Sequence, residues 1–470
     1  MDDNLKELMN TVVQNDYCIG CGTCASINNS PLAMQLNEYG TYKPYMNKNI
    51  IQSDNMEADV LSVCPFSNSS NNETEIGRKV FGEFNNVSFN EHTGFYIKNY
   101  AGYVKEGDFR KKGSSGGMGN WIAAQLLKNN LVDGIIHVKP KDGKNNILFE
   151  YQISNSLEEL SKGAKSKYYP IEMSKVIQLV RESKGRYALI GLPCFIKSIR
   201  LLSEQDNIIK ERIKYYIGLV CGHLKSDMFA KSMAWELGIK PDDLYRIDFR
   251  KKLEGRTANN YGVEVCGKKN GEKVVLSSPT KELYTTNWGH GLFKYKACEF
   301  CDDVLAETAD VTVGDAWLPE YSKDSLGTNI ITVRNPVIQN LLEKNKNNIH
   351  IEEISPRKVY QSQAGGFRHR RNGLAYRLHL KDINKQWRPK KRVEANSRMS
   401  NKRKRIYEKR MLLSQESFKA YKVAEEAEDF NVFKNHMDPI IKDYNKMVAP
   451  PIPVRAIRKL KRKLSNLFKN

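Results

Sequence analysis

The sequence predicts an α/β protein, α+β overall, in which a small N-terminal unit precedes a central mixed, mostly parallel sheet and a basic helical extension follows it. Three observations predict this. From about Tyr100, strand-like apolar runs alternate with amphipathic helical patterns, as βαβ units do. Residues 1–66 hold four of the nine cysteines and few helical patterns. Residues 361–470 carry 29 Lys and Arg against 10 Asp and Glu, a net +19 of the chain's +21, so the remaining 360 residues are close to neutral.

The chain of 470 residues is long enough for two or three domains, and its 40% apolar content fits a soluble protein. No apolar run approaches the ~20 residues needed to span a bilayer, and the opening "MDDNLKELMN" is acidic and polar rather than signal-like. The expectation is a cytoplasmic protein, where clustered cysteines serve as metal ligands or redox groups rather than disulfides.

The N-terminal unit, residues 1–66, contains "YCIGCGTCA" and "VCPF". Cys18, Cys21 and Cys24 recur every third residue, and Cys64 follows after 39 residues with Pro65 behind it. Thiolates at this spacing can wrap three irons of a cubane, with a remote Cys-Pro closing the fourth corner. Gly20 and Gly22 supply the tight turns. The unit therefore reads as a ferredoxin-like 4Fe–4S domain; a structural zinc site is the alternative, although zinc prefers paired CxxC knuckles. "SNSSNNETE" opens a polar linker over 67–99.

The central domain, residues 100–355, reads in order as a helix at "GNWIAAQLLKNN", a strand at "VDGIIHV", a helix at "MSKVIQLVRES" and a buried strand at "RYALIGLPC". A helix at "FIKSIRLLS", a strand at "IKYYIGLVC" and a helix at "KSDMFAKSMAWELG" follow. Cys194 and Cys221 each come directly after one of the last two strands. If those strands are parallel neighbours, both thiols share the carboxyl edge, where α/β proteins build sites. Cys298 and Cys301, in "ACEFC", could complete a second set of four; buried apolar cysteines with a stray CxxC fit the spacing equally well. Cys266 reads as core. "KKGSSGGMGNW" places small residues before a helix, which suits either an anion or an ordinary serine N-cap. His92, His137, His223 and His290 are scattered and read as structural, and Asp302 and Asp303 as capping a loop.

Taken together, "CIGCGTCA…VCPF", "GSSGGMGNWIAAQLL", "GAKSKYY", "ALIGLPCFIKSIR", "GLVCGH", "FRKK" and "ACEFCDDVLAETADVTVGDAW" resemble, in this order over about residues 10–345, the coenzyme F-420 hydrogenase and dehydrogenase beta subunits. That resemblance implies a second 4Fe–4S cluster on Cys194, Cys221, Cys298 and Cys301. It implies FAD contacts from Ser114, Ser115, Gly116 and Gly117, from Ser166, Lys167 and Tyr168, from Gly191 and Pro193, and from Asp315. It assigns no catalytic residue. It further implies an oxidoreductase that exchanges hydride and single-electron chemistry with a ferredoxin-like or other redox partner. Stand-alone members of this kind occur with polysaccharide biosynthesis, and deazaflavin use does not follow from the name. An electron-transfer subunit with no substrate of its own, and a zinc and nucleic-acid module, are the competing readings.

The tail, residues 356–470, contains "RPKKR" and "NKRKR", then a helical stretch, and closes with "AIRKLKRKLSNLFKN". There Ile457, Leu460, Leu464, Leu467 and Phe468 fall at helical spacing among six Lys and Arg. Such a helix suits an anionic membrane surface, placing the protein peripherally at the inner face; a solvated helix or an acidic partner are the other readings. Aromatic stacking residues are sparse and no nucleic-acid motif appears, so no nucleic acid is expected.

Overall fold

The computed structural model describes residues 2–47, 56–141 and 147–449. It contains two compact units, Met1–Asn287 with Phe293–Ser397, and Trp288–Leu292 with Arg398–Asn470.

The first unit is built on an eight-stranded mixed sheet. Its strands, numbered in chain order, are β1 Lys98–Val104, β2 Gly134–Pro140, β3 Phe149–Ser154, β4 Tyr187–Gly191, β5 Ile213–Leu219, β6 Val311–Asp315, β7 Asn329–Val333 and β8 Ile349–Glu353. Their order across the sheet is β8-β1-β7-β6-β5-β4-β2-β3. The pairs β2/β4, β4/β5 and β5/β6 are parallel and the rest antiparallel, so β1, β2, β4, β5 and β6 all point the same way.

The parallel strands are apolar on both faces, because alternate side chains enter different cores. Ile136, Leu189 and Tyr216 pack into one apolar cluster with the helices Ser174–Glu182 and Pro193–Ser203. Their neighbours Ile135, Ala188, Ile190 and Ile217 pack into another with the helix Met118–Lys128. Leu189 and Ile136 are fully buried, each stabilising by about 1.5–3 kcal/mol. A one-residue slip of β4 would exchange the two faces, which fixes the register that aligns Ile190 with Ile217 and Gly191 with Gly218.

The first cluster also takes in the N-terminal segment: Leu5, Leu8, Val12, Tyr17, Ile19, Val60, Leu61 and Val63 are buried within it. The segment carries a hairpin, Leu32–Leu36 with Tyr42–Met46, and shares one core with the sheet. A separate three-stranded antiparallel sheet, Leu244–Lys251, Gly262–Lys269 and Glu272–Pro279, completes the unit.

Residues 67–99, read as a linker, hold the helix Glu73–Phe81 and the short hairpin Ser88–Asn90 with Gly94–Tyr96. The polar run ends in a capping box, Asn72 with Glu75, and the helix buries Ile76 and Phe81. The basic tail is likewise not uniform. Helices Pro356–Ser362, Ala364–Arg370 and Asn372–Ile383, with the extended stretch after them, belong to the first unit. The second unit is an antiparallel pair of helices, Asn401–Glu426 and Phe430–Val448, closed by Leu413, Tyr421, Phe433 and Met437. No helix among the described residues is long and apolar enough to cross a membrane. The amphipathic stretch at 456–469 lies outside the described residues.

Candidate functional site

Local sequence sets the N-terminal cysteines. Gly20 (φ +69°) and Gly22 (φ +80°) turn the chain between Cys18, Cys21 and Cys24. A Cβ at Gly20 would meet the Tyr42 carbonyl at 2.7 Å, and one at Gly22 the Ser174 amide at 2.9 Å. Cys64 is delivered by the helix Val60–Val63, whose N-cap Asp59 accepts from the Leu61 and Ser62 amides at 3.0 and 3.2 Å. The Gly20 amide donates to Cys18 Sγ at 3.3 Å. The segments converge, so that Cys24 feels the charges of Cys21, Cys18 and Cys64. A cavity of roughly 390 Å³, counting its opening to solvent, is lined by all four cysteines with Leu8, Val12 and Phe66.

The core cysteines come together by topology. β4 and β5 are parallel neighbours, which is the condition under which Cys194 and Cys221 share one edge. Cys194 falls in the first turn of the helix Pro193–Ser203 rather than on the strand itself, and Cys221 two residues past β5. The turn Lys296–Phe300 carries Cys298, with Cys301 next to it. Cys194 feels Cys301, Cys221 and Cys298, and then Cys21 of the other set. Thr23 donates to Ser198, one turn beyond Cys194, at 2.8 Å, which ties the two sets together. Cys18, Cys21, Cys24, Cys64, Cys194, Cys298 and Cys301 all border one apolar cluster.

Burial pushes all eight thiols up, Cys64 and Cys298 to about 12 and Cys301 to about 11. Buried thiolates need a cationic centre, and a bound metal deprotonates a coordinating thiol outright. Four soft donors around an apolar space, with amides aimed at sulfur, fit an iron–sulfur cluster. Among the described residues no group of three His, Cys, Asp or Glu could hold a metal ion; a four-iron cube is larger than one ion and seats its thiolates further apart.

A second constellation lies on the same sheet edge. Arg250, 3% exposed, is bound by both Asp315 oxygens at 3.0 and 3.1 Å. It also donates to the Tyr168 hydroxyl and the Ser114 carbonyl, each at 3.2 Å, and lies over the Tyr261 ring at 4.1 Å. Ser114 Oγ accepts from the Ser166 amide at 2.8 Å. Lys252 donates to the Ser115 carbonyl at 3.2 Å, and burial brings it down to about 8.

Ser114, Ser166, Tyr168 and Asp315 are thus gathered around Arg250. Ser115 spends its hydroxyl on the Thr328 carbonyl at 3.0 Å, Gly116 holds the end of β1 through its carbonyl, and Gly117 caps the helix Met118–Lys128. Lys167 is turned onto the carbonyls of Gly163, Ala164 and Lys165, with burial lowering it to about 7. Gly191 and Pro193 sit on this edge two strands from Asp315, at the start of the helix that carries Cys194. Arg250 Nε is buried with no hydrogen-bond partner among the described residues. A fixed guanidinium with a free donor, a second cation and a glycine-bearing helix entry fit an anionic cofactor such as FAD.

Two family descriptions match this chain, both of the coenzyme F420 hydrogenase/dehydrogenase beta subunit: its N-terminal part over residues 99–178, and its C terminus over residues 184–358. The chain belongs to the coenzyme F420 hydrogenase/dehydrogenase beta subunit family. Among its relatives in that family, the coenzyme F420-dependent sulfite reductase of Methanocaldococcus jannaschii is 25% identical over 361 residues, 74% of this chain and 49% of the relative. The coenzyme F420 hydrogenase subunit beta of Methanococcus voltae is 24% identical over 220 residues, 45% of this chain and 69% of that one. An uncharacterized protein of Methanocaldococcus jannaschii is 26% identical over 234 residues, 49% and 77% of the two chains. A chain of the F420-reducing NiFe hydrogenase complex from Methanosarcina barkeri superposes with a TM-score of 0.48 at 15% identity, covering 64% of this chain and 99% of that one.

For this family member, sequence reasoning missed Arg250 and Lys252 as site residues, although "FRKK" contains both. It also missed Arg370, Lys391 and Arg392, which lie in the tail. Asp303 caps the Leu305 and Glu307 amides, as a loop-capping residue should, whereas Asp302 is buried and paired with Arg392 at 3.2 Å.

Proposed function

We propose that the chain is an iron–sulfur flavoprotein oxidoreductase, which passes electrons between a hydride donor or acceptor at FAD and single-electron partners through two 4Fe–4S clusters. The observation that carries this reading is the convergence of two cysteine foursomes from five separate stretches of chain, seven of the eight bordering one apolar core and the eighth, Cys221, acting on Cys194. Cys18, Cys21, Cys24 and Cys64 would hold one cluster, and Cys194, Cys221, Cys298 and Cys301 the other. When bound, flavin supplies the exchange between two-electron hydride transfer and one-electron transfer.

The chain's own residues do the rest. Asp315 locks Arg250 with two parallel bonds, so that its positive charge meets an anionic group without reorganising. Tyr168 and Ser114 hold that guanidinium from two further sides. The apolar core excludes water from the sulfurs, and the Thr23–Ser198 bond keeps the two cysteine sets in register. The surface-facing N-terminal set is the port for a ferredoxin-like or other redox partner.

A second reading, an electron-transfer subunit without its own substrate, is favoured by a relative named as a hydrogenase subunit. Sugar or sugar-lipid chemistry in polysaccharide biosynthesis, and attachment of residues 456–469 to an anionic inner membrane face, extend the first reading.

Iron, zinc and flavin content of anaerobically purified protein, with low-temperature EPR after dithionite reduction, tests the proposal. About eight irons, as two 4Fe–4S clusters require, with one flavin and two interacting signals are expected. Zinc without iron, or iron without flavin, would overturn it. Turnover of candidate donors without a partner separates the two readings.

A further inference from the structure

Residues 363–396 lie beyond the matched family segment, which ends at 358, yet they return to the core cysteines. Arg370 closes the helix Ala364–Arg370 and is 4% exposed. Its Nη1 donates to Cys301 Sγ at 2.9 Å and to the Asp303 carbonyl, and its Nη2 donates to the Gly222 carbonyl, beside Cys221, at 2.7 Å. Its charge also acts on Cys221 and Cys298. Lys391 adds a second positive charge toward Cys301 and donates to the Pro65 carbonyl at 3.3 Å.

The N-terminal four are served differently. Both sets meet backbone amides, Gly20 at Cys18 and Leu224 at Cys298, but the N-terminal sulfurs otherwise meet neutral hydroxyls, as at Cys21, and Lys43 acts on Cys18 only by its charge. Asp302 and Asp303 act on Cys301 in the opposite sense to Arg370, whose effect there is the larger, and both acids also have partners of their own. Asp302 accepts from the Arg392 amide and Nε, each at 3.2 Å, and Asp303 from the Leu305 and Glu307 amides at 2.9 and 3.0 Å.

A cation that hydrogen-bonds a ligand sulfur favours the more negative, reduced state of an iron–sulfur cluster and so raises its potential. We infer that Arg370 sets the potential of the core centre and makes it the higher of the two, so that a single electron entering the protein rests there. This rests on the reading that the core cysteines hold a 4Fe–4S cluster. Arg370 acts through sulfur and is a positioning residue, delivered by a part of the chain outside the matched segments.

The test is an EPR-monitored redox titration of the full chain as wild type, R370Q and R370K, with C24A used to assign the N-terminal signal. In the wild type the core signal should titrate above the N-terminal one. R370Q keeps a donor and loses the charge. Its core signal should move negative enough to change the one-electron partition between the clusters at least tenfold, about 59 mV. R370K should lie between, and the N-terminal signal should stay in place.

A core potential unmoved in R370Q, one already below the N-terminal signal in the wild type, or an equal shift of both would overturn the inference. So would loss of core iron in both variants, which would make Arg370 a brace only. If R370Q alone loses core iron, R370K is read in its place: a negative shift confined to the core signal supports the inference, and no shift overturns it. A wild type with about four irons and a single signal sinks the cluster reading itself; about eight irons with an unmoved variant sinks only the role of Arg370.

Discussion

Arg250 shows how one side chain can organise a site whose other members are spread over 200 residues of sequence. It receives Ser114, Tyr168 and Asp315 from three different segments. Replacing it with Met should leave iron content at the wild-type level and weaken flavin affinity roughly tenfold to a hundredfold, the worth of one or two charge-assisted hydrogen bonds. Fluorescence titration of the flavin-depleted protein checks this. Unchanged affinity would detach the Arg250 constellation from flavin. At this scale the N-terminal cysteines stood out as candidates because ligand spacing is a local property: three thiols in seven residues have few other uses. Arg370 was not, since a buried guanidinium and a solvated one look alike in a basic tail.

The short elements that hold the cysteines owe their stability to their ends. The helix Val60–Val63 is a single turn, too short to persist by propensity. Asp59 caps it, accepts from the Asn4 side chain at 2.9 Å, and so ties the helix Asp3–Leu8 to the turn that presents Cys64. Asp59→Ala should destabilise the protein by about 0.5–2 kcal/mol, the usual cost of a lost N-cap. It should also hasten loss of the N-terminal EPR signal in air while the core signal decays at the wild-type rate. Equal decay of both would show that the cap does not act locally. The strands and long helices were readable from periodicity, which tertiary packing here reinforces. The helix Glu73–Phe81 was hidden because its capping residues, Asn72 and Glu75, are polar and look like linker until the apolar residues behind them are counted.

Over the whole first unit, an extended strap runs from Trp387 to Asn396. The Trp387 carbonyl accepts from Tyr17 at 3.3 Å, the Lys390 amide donates to Asn68 at 2.6 Å, and Arg392 bonds Glu307 at 2.6 and 3.0 Å. It also pairs with Asp302 and Glu73. A chain ending at Ser397 should keep its iron and flavin. One ending at Gln386 leaves three buried carboxylates without Arg392, a loss that costs several kcal/mol where a buried pair is broken. It should emerge iron-poor or aggregated, as metal analysis and size-exclusion chromatography would record. The strap's role could not be read from composition, because its charges count toward the same excess as the tail beyond it.

The position of the strap also bears on how the protein is made. All eight candidate ligands precede residue 302, and the stretch that lies against both sets is synthesised after them. While it is still within the ribosome it cannot yet lie against the sulfurs, so on the cluster reading an interval for loading before closing is set by the order of the chain.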